Sequence, residues 1–299
     1  MKTFQVEPPV IDYEGSDYQE TFWDRGDREY EDRVEAIALQ RLLPKSGDKL
    51  LELGAGAGRN TPRYEGYRHI VLVDYSSSQL KFAKEKLGNS ERYKYVAANI
   101  YNLPFAPVFD TATMIRTLHH MANPNQALQQ VQKVMAPESV FILEYANKRN
   151  LKAILRYIAR RQDWNPFDHK PIEFAELNFD FHPFTIKKWL IENGFTIERQ
   201  LTVSHFRIGF LKRILPLSIL VKMDAFAQLT GNLWQFSPSV FIRAKSKKKS
   251  MVGNSNEIFR CPECGKSQFE ENEDRIWCSS CSQKWLIDDG IYDFREPVA

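Results

Sequence analysis

Apolar residues in this chain come first at helical spacing and then in short unbroken runs. Within residues 30–43, Val34, Ile37, Ala38 and Leu42 fall on one face of a helix, and Pro44 ends it. Residues 49–53, 69–73, 93–97, 109–115 and 139–145 are compact apolar runs of strand length. Ser76 is placed to cap a helix over 79–87, which Gly88 and Asn89 terminate. Pro124 and Asn125 open another, with Ala127, Leu128, Val131 and Val134 inward. Strands alternating with helices predict a mostly parallel sheet covered on both faces. Ligands of such sheets sit beyond the carboxyl ends of the strands.

The pattern then loosens. Residues 148–162 are amphipathic, with Leu151, Ile154, Leu155 and Ile158 in one stripe and Lys148, Arg149, Lys152, Arg156, Arg160 and Arg161 around it. This reads as a solvated basic face or as a surface for an anion, lipid or RNA. Residues 164–184 are irregular and aromatic, with Pro166, His169, His182 and Pro183, and suit a substrate lid. A helix over 185–193, ended by Gly194, and strands over 195–203 and 239–244 complete a seven-stranded sheet. The apolar window 208–229 is expected to pack as a helical cover, or else to line a pocket for a hydrophobic substrate. The organisation expected is an N-terminal helical cap (1–47), a main domain (48–244) with an insertion or lid at about 148–235, a basic linker (245–256) and a small module (257–299). Tyr13, Tyr18, Phe22, Trp23, Arg28 and Tyr30 make the start unusually aromatic. They read as packing for the cap or as a flap over a ligand.

Composition adds two constraints. Net charge is +3 overall, but residues 257–299 hold ten acidic and five basic residues, so the remainder carries +8. No signal peptide is visible in residues 1–20, and Lys212, Arg213, Lys222 and Asp224 interrupt 208–229 too often for a membrane span. The expectation is a cytoplasmic protein.

Candidate chemistry gathers where the strands end. The run 49–53 breaks into Gly54-Ala55-Gly56-Ala57-Gly58-Arg59, and such a loop lets a ligand approach bare backbone. Arg59 stands where a dinucleotide fingerprint wants its third glycine. Asp74 lies 20 residues after Gly54, the distance at which a strand-end carboxylate accepts from both ribose hydroxyls. Tyr75 reads as an adenine platform or a surface aromatic. Asn99, before Leu103-Pro104-Phe105, reads on its own as a loop residue holding its own turn. Arg116 to His120 follow the fourth strand.

Glu52, Gly54, Gly56 and Gly58 match the E/D-x-G-x-G-x-G motif of the class I S-adenosylmethionine-dependent methyltransferases. Ala98 to Phe105 resembles that family's third motif, with Asn99 at its acidic position, and Leu118-His119-His120 is typical of the type 11 branch. The resemblance covers about residues 30–147. It implies a Rossmann-like, seven-stranded mostly parallel sheet. It also implies S-adenosylmethionine bound by Glu52, Gly54, Ala55, Gly56, Gly58, Asp74, Tyr75, Asn99, Ile100 and Arg116. His119 and His120 are the base candidates if the acceptor must lose a proton; otherwise one packs and one caps. His169 and His182 are weaker candidates.

All four cysteines fall in the tail, as Cys261-x-x-Cys264 and Cys278-x-x-Cys281, thirteen residues apart. Two such knuckles read as a tetrahedral, structural Zn2+ ribbon. Residues 285–294 resemble the end of the small zinc-ribbon activators that pair with methyltransferases. That resemblance implies an acidic ribbon docked in cis on the +8 remainder. The function expected is methyl transfer to a small-molecule or lipid-like acceptor at O, N or C. An RNA or tRNA acceptor is the alternative, which the acidic ribbon disfavours. A binding or scaffolding module without turnover is the alternative of another class.

Overall fold

In the computed structural model, which describes residues 8–16, 28–249 and 257–298, the apolar runs are strands and the helices flank them. Helix α1 (Glu29–Leu42) precedes β1 (Gly47–Leu53), β2 (Tyr67–Asp74), α2 (Ser77–Leu87), β3 (Tyr93–Ala97), β4 (Phe109–Met114), α3 (Pro124–Val134) and β5 (Met135–Ala146). Next come α4 (Leu151–Ile158), the hairpin of β6 (Ile172–Ala175) and β7 (Asn178–Asp180), α5 (Pro183–Glu192) and β8 (Phe195–Val203). Helices α6 (Gly209–Ile214) and α7 (Leu217–Ala227) lead to β9 (Ser239–Ser246). The last strands are β10 (Phe269–Glu271), β11 (Arg275–Cys278), β12 (Lys284–Asp288) and β13 (Ile291–Val298).

Strands β3, β2, β1, β4 and β5 run parallel, and β9 lies antiparallel between β5 and β8. These are the seven strands expected, in a mixed α/β Rossmann-like fold. The C-terminal module adds four more strands beyond β3, so the hydrogen-bonded sheet runs to eleven. Strand β13 runs parallel to β3, with Ile291 opposite Tyr95 and Asp293 opposite Ala97, and β12, β11 and β10 follow antiparallel. An open edge leaves a row of N–H and C=O groups unpaired, and β13 satisfies those of β3. Nothing in the residues of β3 distinguishes a covered edge from a bare one.

Side chains follow the two-residue period. Leu51, Leu53, Val71, Val73 and Met114 enter one core layer, while Leu50, Ile70, Leu72 and Tyr95 enter the layer beneath α2. Burial on both faces is why these strands read as unbroken apolar runs. Ser76 caps α2, its hydroxyl accepting from the Gln79 N–H at 3.3 Å. Helix α1 buries Val34, Ala38 and Leu42 as expected, but Leu39 rather than Ile37 completes the face, together with Glu31 and Glu35.

One helix departs from the pattern of a buried apolar stripe. Helix α4 ends at Ile158 and buries Ala153, so Leu151, Leu155 and Ile158 of its apolar stripe face outward while Ile154 is half-buried. The 208–229 window forms α6 and α7 as a helical cover: Leu220 and Asp224 are buried, and Leu211, Leu215, Leu217 and Val221 pack half-buried on the core that holds Val34 and Ala38 of α1. The Asp224 carboxylate accepts from the Tyr30 hydroxyl at 2.6 Å, so a polar anchor sets which side of α7 faces in. Among the described residues, no helix is long and apolar enough to cross a membrane.

The C-terminal module meets the main sheet by side chains as well. Lys81 pairs with Asp288 at 2.7 Å and Lys84 with Asp289 at 2.8 Å, while Phe105 and Phe259 stack at 5.9 Å. Arg295 of β13 donates to the Tyr75 carbonyl at 3.2 Å, and its guanidinium lies 5.7 Å from the centre of the Tyr75 ring.

Candidate active site

The glycine loop turns at the carboxyl end of β1, with Gly54 at φ +67° and Gly56 at φ +52°. A side chain on Gly54 would collide with Thr117, its Cβ 2.1 Å from Oγ1, whereas Gly56 has open space. The Gly56 N–H donates to the Asp74 carboxylate at 2.8 Å, and the Ser76 N–H donates to it at 3.0 Å. Burial pushes the Asp74 carboxyl up against these backbone donors. Beside them is a cavity of about 120 Å³, lined by Gly54, Gly56, Asp74, Tyr75, Ile100, Arg116, Thr117, His120 and Met121. Ligand pockets are commonly about 300–1,000 Å³. This one is smaller, and Val10, Ile11 and Tyr13 of the N-terminal segment also line it. Val10 bridges to Met121, another lining residue, and the Tyr13 hydroxyl meets His120 Nε2 at 3.2 Å.

Thus Gly54, Gly56, Asp74, Tyr75, Ile100 and Arg116 come together at one cavity, and four other expected contacts do not line it. Glu52 points behind the loop, where Thr61 donates to it at 2.6 Å and Tyr64 lies at 3.4 Å; burial raises its carboxyl to about 7. The two-residue period accounts for this, since Leu53 takes the cavity side. The Ala55 N–H donates to the Val73 carbonyl at 3.0 Å. Gly58 packs against α2, where a Cβ would lie 2.9 Å from Leu87. Asn99 accepts from the Tyr101 N–H at 3.0 Å, holding its own turn.

The two histidines separate. His119 does not line the cavity, its Nδ1 is buried without a partner, and its ring lies 3.9 Å from that of His120. Desolvation first, then the charges of His120 and Arg116, hold it well below the ordinary histidine range, so it stays neutral. His120 faces the cavity, with Nδ1 3.3 Å from the Leu177 carbonyl. A carbonyl can only accept, which assigns the proton to Nδ1 and leaves Nε2 as the acceptor of the Tyr13 hydroxyl. Burial lowers its pKa also, partly offset by Leu177. His182 instead caps α5, accepting from the Phe184 N–H at 3.2 Å, and neither it nor His169 lines the cavity.

Arg116 is fixed from α1. It sits at φ +56°, its N–H donates to Glu144 at 2.9 Å, and its Nε donates to the buried Glu35 at 2.7 Å. Arg59 binds the same carboxylate at 2.9 Å. Burial pushes Glu35 up, but the two guanidiniums outweigh it and hold the carboxyl below its usual range. Sequence reasoning missed Glu35, Thr117 and Met121 as parts of this site, while Tyr13, one of the aromatics read as cap packing or as a flap over a ligand, lines the cavity. Thr117 and Met121 were signalled by the stretch around the two histidines; Glu35 carried no signal beyond a charge on the apolar face of a helix. Tyr18, Phe22 and Trp23 lie outside the described residues.

In the tail the four cysteine sulfurs lie within 4.8 Å of one another, with Cys261 and Cys281 at 3.7 Å and Cys264 and Cys278 at 3.5 Å. Four thiolates about 2.3 Å from a tetrahedral ion stand about 3.8 Å apart. The cluster is shaped to hold a metal ion.

The chain is similar to several known methyltransferases. The chain is 28% identical to a demethylmenaquinone methyltransferase of Clavibacter sepedonicus over 36% of its own length and 44% of that protein's. It is 28% identical to the O-methyltransferase cnsE of Penicillium expansum, over 38% and 43%. The chain therefore spans under half the length of these curated relatives. Its fold is shared with a chain of the complex between the Haloferax volcanii Trm112 methyltransferase activator and a methyltransferase (TM-score 0.52, 13% identity, 78% of this chain and 97% of that one). Residues 51–143, from β1 through most of β5 and including the glycine loop and both histidines, match the family model described as a methyltransferase domain.

Proposed function

We propose that the protein is an S-adenosylmethionine-dependent methyltransferase acting on a small or lipid-like acceptor. The observation that carries this is the convergence of Gly54, Gly56, Asp74, Tyr75, Ile100 and Arg116 on one cavity at the carboxyl ends of the strands. Asp74 would hold the ribose hydroxyls, Tyr75 and Ile100 would enclose the adenine, and the loop backbone would take the amino-acid end. When bound, the sulfonium supplies an activated methyl group, so orientation does much of the catalytic work. His120 Nε2 would accept the proton of an acceptor that must lose one. The N-terminal segment with Tyr13 would be displaced or re-seated on the cofactor, excluding water. The names of the quinone and O-methyltransferase relatives support a small-molecule acceptor. The cations of α4, which make no ion pair among the described residues, favour RNA as the second reading, which predicts a steep loss of binding with salt.

The cysteine cluster would hold a structural Zn2+, with no ligand position left open. The module carrying it would be a built-in partner of the catalytic domain. The pairing of β13 with β3 and the contact of Arg295 with Tyr75 support that reading.

Calorimetry with S-adenosylmethionine, and transfer of a labelled methyl group into small-molecule, lipid, RNA and protein fractions of a cell extract, test the proposal. Micromolar binding with label in the first two fractions is expected. No binding removes the enzyme reading, and label in RNA alone replaces the acceptor class.

A further inference from the structure

Helix α4 is an amphipathic helix worn inside out. It buries Ala153, and opposite that residue it presents Leu151, Leu155 and Ile158, which are 54%, 57% and 69% exposed. Their spacing of four and three residues makes one continuous stripe. A groove of about 620 Å³ runs between this helix, Ile208 and Phe236. The Leu151 N–H donates to the Phe236 carbonyl at 2.8 Å, tying the two walls together. Phe210 and Ile214 continue the exposed apolar surface onto α6.

Cations are interleaved with these side chains, and anions are not. Lys152, Arg156, Arg161 and Arg207 line the groove, and no acidic residue does. Residues 148–162 contain no Asp or Glu, and the one acidic residue of 205–236, Asp224, is buried against Tyr30. Lys152, Arg156, Arg160 and Arg161 are exposed and make no ion pair among the described residues.

A protein partner that buried the aliphatic stripe would also desolvate these charges. A nucleic acid would use the charges and leave the leucines and isoleucine in water. An anionic bilayer surface accommodates both, because aliphatic side chains enter the acyl boundary while Lys and Arg stems reach back to the headgroups. The position suits this as well. Helix α4 starts just beyond the carboxyl end of β5, the end of the sheet where the candidate site lies. Arg207 in the groove wall pairs with Glu31 at 3.3 Å, one turn of α1 before the Glu35 that holds Arg116.

We infer that the α4–α6 face docks on membranes containing anionic phospholipids, with Leu151, Leu155 and Ile158 entering the acyl boundary and Lys152, Arg156, Arg160 and Arg161 binding the headgroups. The inference stands apart from methyl transfer, since its test reads binding without turnover. The full chain is sedimented with vesicles of phosphatidylcholine alone and of phosphatidylcholine with phosphatidylglycerol, at low and physiological salt. At least tenfold tighter binding to the anionic vesicles is expected, weakened but not abolished by salt. The Leu155→Ser, Ile158→Ser double variant should bind at least tenfold more weakly with an unchanged melting temperature, because both residues are exposed. Arg156→Glu with Arg160→Glu should lose about fivefold or more for each cation. No sedimentation with anionic vesicles overturns the inference. So does a serine variant that binds as well as the parent, which would mean charge attraction alone. Binding to an RNA homopolymer without binding to vesicles, or concentration-dependent self-association that the serine variant abolishes in a protein that ignores vesicles, overturns it too.

Discussion

Neighbouring histidines on one short turn end in opposite environments, and the difference decides which of them is the base candidate. His119 is packed and unpartnered, whereas His120 is oriented by the Leu177 carbonyl and turns Nε2 to the cavity. Replacing His120 by Gln should lower turnover by about 10²–10⁴-fold if the acceptor loses a proton, with cofactor affinity unchanged; undiminished turnover would remove the base role. The active form is the neutral ring, and burial lowers the pKa. The acid limb of the rate profile should therefore lie below pH 6.5, with activity falling only as pH drops through that limb. A limb above 6.5 would contradict the burial argument. Asp74 is the second residue-scale test. Its carboxylate already organises Gly56 and Ser76, so Asp74→Ala should weaken S-adenosylmethionine binding at least tenfold by calorimetry. Both residues were legible in the sequence as types at a spacing. Which histidine faces the site was not, because that depends on Leu177, a residue of the distant β6–β7 hairpin.

At the scale of elements, the strands and their caps were legible because each rests on local chemistry. Burial on both faces makes an unbroken apolar run, and Ser76 and Pro124 mark helix starts by the bonds they make or lack. The direction in which a surface helix turns its stripe is not local, and in α4 Leu151, Leu155 and Ile158 face outward. In α1, charge on the buried face was the unread signal: Glu35 joins the glycine loop, through Arg59, to Arg116. Glu35→Gln would leave two guanidiniums facing a neutral group in a buried site, a loss of about 3–5 kcal/mol by the usual measure of a broken buried pair. Urea unfolding measures it, and a change below about 1 kcal/mol would show the network to be dispensable. The folded-state pKa of Glu35 is depressed. Its stabilisation is thus fully present above the unfolded carboxylate value near 4.3 and is lost as pH falls through the lower folded value. The Gln variant should lack that part of the acid dependence.

Across the whole molecule, a single sheet runs from β8 to β10, and the cysteine module shares its core with the main domain. Cys261, Cys278, Ile276, Trp285 and Phe294 belong to the same buried cluster as Leu51, Val96 and Phe105. A module this small has too little apolar core of its own to fold alone, and the Zn2+ proposed for its cysteine cluster would add to what it shares with the main domain. Metal loss should therefore do more than unravel a tail. It should release β13 from β3, expose Phe105, and free Tyr75 from Arg295 at the wall of the candidate cofactor site. Zinc removal by a chelator, or Cys278→Ser, should lower the melting temperature of the whole chain in one transition and weaken S-adenosylmethionine binding. Arg295→Ala separates the two effects. It keeps the metal and the strand pairing, so it should weaken cofactor binding about threefold to tenfold, the span of a partly exposed cation–π contact with one hydrogen bond, with little change in melting. Metal analysis should find one zinc per chain. If the chelated protein loses only residues 257–298 to proteolysis while its cofactor affinity stays constant, the module is a passenger on the edge of the sheet rather than a brace for the site.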